Sequence, residues 1–170
     1  MTDTESALIR PILPTDLERI LELNEANVPA VGSVDADRMA FLVSESKIAL
    51  ALEVEGAVIG FCLVLGPDST YDSLNYLWFS DRYDNFMYLD RVAVDSAFTG
   101  RGFGTLLYAE VDRLMQALGG ADQLALEINV DPPNVASLAF HHRLGFSEVG
   151  QQDTSYGIRV SMQTRSAVSS

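Results

Sequence analysis

The sequence predicts one domain of mixed α/β class, a central sheet of about seven strands with helices on both faces. It spans residues 1–165, with a short disordered tail at 166–170. Three observations carry this. Segments of strand-like and helix-like periodicity alternate along the chain. Neither a linker nor an internal repeat interrupts them. And 170 residues, 48% of them apolar, suffice for one well-filled core.

Taken in order, Ala7–Leu13 reads as the first strand. Pro14-Thr15-Asp16 opens a helix to about Asn24, with Leu17, Ile20, Leu21 and Asn24 at helical spacing. Ser33 is a candidate cap for a second helix, in which Met39, Leu42 and Val43 repeat on one side. Lys47–Val54 and Ala57–Leu65 flank Glu55-Gly56, a two-residue hairpin signal. The stretch Gly66–Asn85 is irregular and aromatic. Phe86–Val94 is the next strand, and Gly102–Leu118 a long amphipathic helix with Phe103, Leu107, Val111, Leu114, Met115 and Leu118 as its apolar stripe. Gly119-Gly120 stops it. Leu124–Val130 is a strand, Asn134–Leu144 a short helix, and Phe146–Gly150 and Tyr156–Met162 the closing strands. Fraying is expected from Thr164.

The net charge is −13, from 24 acidic against 11 basic groups. Such a surface repels nucleic acid and anionic membranes and favours cationic small molecules or basic peptides. Plain solubility explains it equally well. Apolar runs such as Ala57–Leu65 are too short to span a bilayer. The start, Met1-Thr2-Asp3-Thr4-Glu5-Ser6, is acidic where a secretory signal is basic and then apolar. The one cysteine, Cys62, rules out an internal disulfide and a cysteine zinc cluster, and its apolar strand makes it a buried, inert thiol. A cytoplasmic protein without a metal is the expectation.

The strongest chemical signal is the strand Tyr88–Val94 running into Phe98-Thr99-Gly100-Arg101-Gly102-Phe103-Gly104-Thr105 and on into the long helix. Glycines at 100, 102 and 104 let backbone approach a ligand closely, and a helix start presents unpaired N–H groups to an anion. Arg101 adds a full charge, so a pyrophosphate is the natural guest. Thr105 stands where a dinucleotide fold needs its third glycine, and no Gly-Lys pair exists for a nucleotide phosphate loop. Taken alone, the glycines could also do no more than make a tight turn.

Thr99–Gly104 resembles the Gln/Arg-x-x-Gly-x-Gly/Ala signature of the GNAT N-acetyltransferase superfamily, with Thr99 in place of the usual glutamine or arginine. A second block, Asn134-x-x-Ser137-x-x-Phe140-His141-x-Arg143-Leu144-Gly145-Phe146, is similar to that family's Asn…Phe-Tyr-x-Lys-Leu-Gly-Phe pattern. The two blocks stand in the family's order, and the strand order before them fits. Tyr88-x-Asp90-Arg91, and Asn129-x-Asp131-Pro132-Pro133-Asn134 with the later Phe140-His141, are similar to a bacterial branch of predicted acetyltransferases. The resemblance implies a mostly antiparallel sheet, acetyl-CoA as co-substrate, transfer to a primary amine of a small molecule, amino acid or peptide N-terminus, and a homodimer. It implies that the loop residues 99–105 bind the diphosphate. It also implies that Val92, Ala93 and Val94 pair with the pantetheine arm and that a backbone N–H there polarises the acetyl oxygen.

Asn134, Ser137, Leu138 and His141 share one stripe of the short helix, whose seven-residue rise of about 10 Å could run beside a pantetheine arm. Asn134 either grips that arm or caps the helix. His141 stands where the family has a tyrosine general acid. An imidazolium can protonate a departing thiolate; a neighbouring tyrosine or water could replace it, and a purely structural histidine is the plainer alternative. His142 reads as packing. For a general base the candidates are Glu127 and Asp90 on central strands. Asp90 is set on the side of Tyr88, Val92 and Val94, with an ion pair to Arg91 as its alternative. Seven aromatics crowd residues 71–88, and Tyr76, Trp78, Tyr83 and Tyr88 are the candidate walls of an amine pocket, or else a lid or dimer patch. Asn24–Ala30 is a second candidate wall. The alternative functions are a non-catalytic acyl-CoA sensor and a nucleotide-phosphate binder.

Overall fold

Strand parity and one irregularity in it decide where this chain opens a site. The structure, a computed structural model, describes residues 6–167. Seven strands, β1 (Ala7–Pro11), β2 (Ile48–Val54), β3 (Ala57–Leu65), β4 (Phe86–Val94), β5 (Gln123–Asp131), β6 (Ser147–Asp153) and β7 (Arg159–Ser166), form one sheet in the order β1-β2-β3-β4-β5-β7-β6. Every neighbouring pair is antiparallel except β4–β5. The expected mixed, mostly antiparallel seven-stranded sheet is what forms.

Helices cover both faces. On one, α4 (Phe103–Leu118) buries Phe103, Leu107, Val111 and Met115 against β2–β5, and α5 (Val135–Arg143) packs beside it. On the other lie α1 (Leu17–Ala26), α2 (Ala36–Glu45) and α3 (Leu74–Ser80), which bury Ile20, Leu23, Met39, Leu42, Tyr76 and Phe79. Burial of a side chain such as Phe103 contributes about 2 kcal/mol and pins the start of α4. Between β2 and β3 the turn Glu55-Gly56 has φ of 52° and 80°, the backbone that a two-residue hairpin demands.

Several boundaries differ from the sequence reading. Asp35, not Ser33, caps α2, accepting the Arg38 N–H at 2.8 Å, while Ser33 donates to Glu25. The stretch read as irregular contains α3, capped by Ser73. Leu118 closes α4 with its side chain in solvent, 58% exposed, and is not part of the stripe. His142, expected to pack, is exposed, as are Val135 and Ala139 beside it. The chain does not fray from Thr164: β7 runs on to Ser166, opposite Gln123, and the Ala167 N–H donates to the Asp122 carbonyl. Of the expected tail, residues 168–170 lie outside the described residues.

The irregularity is at Asp90. Leu63 pairs with Arg91 and Val64 with Leu89, so Asp90 is an extra residue bulging from β4. Side-chain parity flips there. Met87 and Leu89 face α4, and so do Val92 and Val94, while Tyr88 and Ala93 face the α1–α3 side. Tyr88 therefore stands on the opposite face from Val92 and Val94, contrary to the alternation expected. The bulge also turns β4 away from its parallel neighbour. Only Phe86–Tyr88 pair with Gln123–Ala125, and beyond them the two strands part like a fork.

Candidate active site

Three cavities meet in the fork. A groove of about 710 Å³ runs between β4, the glycine loop and α5; a pocket of about 500 Å³ opens on the other side; a junction of about 80 Å³ lies between the strands. The junction shares Val92, Tyr108, Ser137 and His141 with the groove. It shares Asp90, Arg91, Glu127 and Asn129 with the pocket. A reaction joining two molecules, one from each side, would occur there.

The groove is built from backbone. Gly100 and Gly102 have φ of 79° and 85°, left-handed values that a β-carbon resists, and Gly102 is the N-cap of α4. A β-carbon on Gly104 would stand 3.2 Å from the Phe140 ring, so this glycine lets α4 and α5 close together. Thr99, Gly100, Gly102, Gly104 and Thr105 all line the groove, with the first-turn N–H groups of α4 beside them. Phe103 lines it too, though its ring is anchored in the core. The Arg101 guanidinium lies over the Phe98 ring, 5.2 Å from its centre. Opposite, Val92, Ala93 and Val94 present the edge that β4 turned away from β5.

On α5, Asn134 is the N-cap, its side chain accepting the Ser137 N–H at 3.2 Å, and it lines the junction. His141 Nδ1 lies 2.7 Å from the Ser137 carbonyl, a contact that requires a proton on Nδ1, with the Ser137 hydroxyl 3.2 Å away. Its Nε2 then accepts the Tyr108 hydroxyl at 2.5 Å. Burial lowers the His141 pKa, so the ring is neutral at pH 7, and burial likewise pushes the Tyr108 hydroxyl up. Tyr108 also lines the groove, its hydroxyl proton held by His141. Sequence reading passed over it, although it follows Gly104 by one helical turn.

The two carboxylates differ. Asp90 accepts from Arg91 Nε at 2.7 Å and from the Tyr71 hydroxyl at 2.8 Å, the ion pair weighed as its alternative. Glu127 accepts from the Tyr88 hydroxyl at 2.5 Å, with the Asn75 amide as a second neutral donor. Desolvation pushes its pKa up to about 7; the Tyr88 bond opposes the rise and the Asp90 charge adds to it. Cys62, buried away from all three cavities, has its thiol pushed up to about 12 by desolvation.

Of the aromatics proposed as pocket walls, Tyr76 is buried, donating to the Gly66 carbonyl at 2.6 Å. Trp78 packs over Gly150 and under Arg82, and Tyr83 against Phe79. None of these three lines any of the three cavities. Tyr88 reaches the site through Glu127. The pocket is walled instead by residues 28–33 between α1 and α2, overlapping the second candidate wall. Tyr71, Leu74 and Asn75, and the β6–β7 turn at 154–158, complete it. The sequence reading placed Tyr156 in a closing strand, but β7 begins only at Arg159 and the residues before it turn.

The model of the acetyltransferase (GNAT) family matches residues 17–146. The chain belongs to this family. No curated protein matches the sequence. Among solved structures, Ard1 from Thermoplasma volcanium superposes with a TM-score of 0.79 at 17% identity, covering 96% of this chain and 99% of that one. The ribosomal-protein-S18-alanine N-acetyltransferase from Escherichia coli gives 0.73 at 18%, covering 96% of each. NAA60 from Arabidopsis thaliana, in complex with acetyl-CoA, gives 0.72 at 16%, covering 94% of this chain and 98% of that one. At these identities the likeness is one of fold. A GNAT acetyltransferase takes acetyl-CoA as its co-substrate. This groove fits such a molecule, having backbone bared by Gly100, Gly102 and Gly104 at a helix start and, beside it, a β4 edge that does not pair with β5. No helix among the described residues is long and apolar enough to cross a membrane.

Proposed function

We propose that this GNAT acetyltransferase is an N-acetyltransferase, moving the acetyl group of acetyl-CoA to a primary amine by direct attack on the thioester. The observation that carries the reading is Glu127. It is a carboxylate with a pKa raised to about 7, standing where the groove meets the second pocket. A base with that pKa is half ionised near neutral pH and takes up a proton readily.

Acetyl-CoA supplies an activated acetyl group and a good leaving thiolate. The amides of residues 100–105 at the mouth of α4 bind its diphosphate, with the Arg101 charge nearby. The free edge of Val92–Val94 takes its amide-bearing arm as an added strand, with Ser137 and Asn134 on the facing helix. A backbone N–H of that edge polarises the acetyl oxygen. Glu127 removes the proton that makes the incoming ammonium unreactive, and Tyr88 holds its carboxylate in place. The Tyr108 hydroxyl turns from His141 Nε2 to hand its proton to the departing sulfur, and the second proton of the newly acylated nitrogen passes to water, which reprotonates Tyr108. Asp90, neutralised by Arg91, keeps the bulge that opens the fork. Tyr76, Trp78 and Tyr83 form the packed wall behind the site.

The test is thiol release from acetyl-CoA in the presence of a panel of primary amines. Saturable release is expected. Tyr108→Phe should lower kcat about 10–100-fold and leave acetyl-CoA affinity within about twofold. Tight acetyl-CoA binding with no release for any amine would overturn the reading.

A further inference from the structure

The pocket that receives the amine has a chemistry of its own, and, granted the proposed function, it narrows the substrate. Among the described residues, its charged lining consists of Asp90, Arg91 and Glu127. Arg91 is the one cation, and Asp90 matches its charge. Its Nε binds Asp90 at 2.7 Å, and its Nη1 binds the Asn24 side chain at 2.8 Å and the Gly32 carbonyl at 3.0 Å, with the residue only 6% exposed. Among the described residues of the lining, no uncompensated cation faces an anionic substrate group. Glu127 is a second source of repulsion, and the chain's net charge of −13 acts in the same sense.

The rest of the wall mixes apolar side chains, Val28, Pro29, Val31, Leu74 and Ile158, with the hydroxyls of Ser33, Ser73, Thr154 and Ser155. The amides within reach already have partners. Asn129 donates to the Pro29 carbonyl at 3.2 Å, and Asn75 accepts from Gln152 at 2.9 Å while it borders Glu127. A carboxylate carried into this space would meet hydroxyls but no uncompensated cation, and Glu127 would repel it, whereas an ammonium meets Glu127 and an apolar body meets Val28, Pro29, Val31, Leu74 and Ile158.

We propose that the acceptor is a primary amine with an apolar body and no carboxylate beside the amine. That chemistry is shared by a free arylalkylamine and by the amino terminus of a peptide, and it excludes free amino acids.

The experiment compares phenethylamine, phenylalaninamide and phenylalanine as acceptors with the intact protein. The amine of phenethylamine is at least as basic as that of phenylalanine, so its basicity cannot explain a preference for it. The kcat/KM of the first two should exceed that of phenylalanine by about tenfold or more. Phenylalaninamide leading assigns the peptide source; phenethylamine leading assigns the free amine. Ser155→Arg, on the exposed β6–β7 turn beside the pocket, supplies a free cation and should raise use of phenylalanine selectively. Calorimetry on the CoA-saturated protein measures the same ranking without turnover. Phenylalanine bound or used as well as the other two overturns the proposal. Absent turnover with the binding order intact sinks the transferase reading and leaves this one standing.

Discussion

Asp90 and Glu127 sit on the two strands that part at the fork, and both reach the same small junction. Their partners could hardly differ more. Asp90 has a guanidinium at 2.7 Å, itself fixed to α1 and the loop after it. Glu127 has a phenol and an amide as its hydrogen-bond donors, with the Arg91 charge acting on it more weakly from a distance. A carboxylate matched by a buried cation holds strands and loops together. A carboxylate given neutral donors in a poorly hydrated space keeps a raised pKa and stays ready to exchange a proton. On the proposed roles, burial on a central strand does not separate the two residues; the charge of the partner does.

The comparison breaks first at Glu127→Gln. If Glu127 is the base, kcat at pH 8 should fall by about 10³-fold, while acetyl-CoA binding changes by less than about twofold. In the wild-type protein the rate should rise through about pH 7, following ionisation of this group. A variant that keeps its rate and its pH profile would move the base elsewhere.

Asp90→Asn should act on stability instead. Removing one member of a buried pair leaves the Arg91 charge uncompensated, at a cost of about 3 kcal/mol, read by urea unfolding. Its rate near neutral pH should drop far less than that of Glu127→Gln. Equal stability with a matching rate loss would exchange the two roles.

Most of the fold was legible because it rests on local, repeated signals. The Glu55-Gly56 turn needs positive φ, the Phe86–Val94 strand has no competing pattern, and the glycines at 100 and 102 take the left-handed backbone that their loop required. What was hidden has no period. The bulge at Asp90 adds one residue without any composition cue, yet it reverses parity and opens the fork. Helix α3 was masked because Tyr76 and Phe79 face the core among so many other aromatics that no polar side stands out. Aromatic crowding looked like a pocket and is packing: Tyr76, Phe79, Phe86 and Tyr88 stack at centroid distances of 5.5–6.4 Å. Of the site, the glycine loop, Glu127 and the helix of His141 were visible as residue types in order. Tyr108 was not, because a tyrosine on an apolar helical stripe reads as core until its hydroxyl finds a partner.

The finest test of the contrast is its sign in stability. Glu127 has a folded pKa of about 7 against an ordinary 4.5. Between those values the folded chain holds a proton that the unfolded chain has already released, so stability falls as pH rises across that window. Above about pH 7 both states are ionised, and the folded protein bears the full cost of a poorly hydrated charge. A neutral amide in place of the Glu127 carboxylate removes that cost. Moving from about pH 5.5 to about pH 8, Glu127→Gln should therefore gain about 2 kcal/mol of stability relative to wild type, the reverse of the loss at Asp90→Asn. A pH-independent difference in urea midpoint would mean that Glu127 is as well compensated as Asp90, and the contrast between the two strands would vanish.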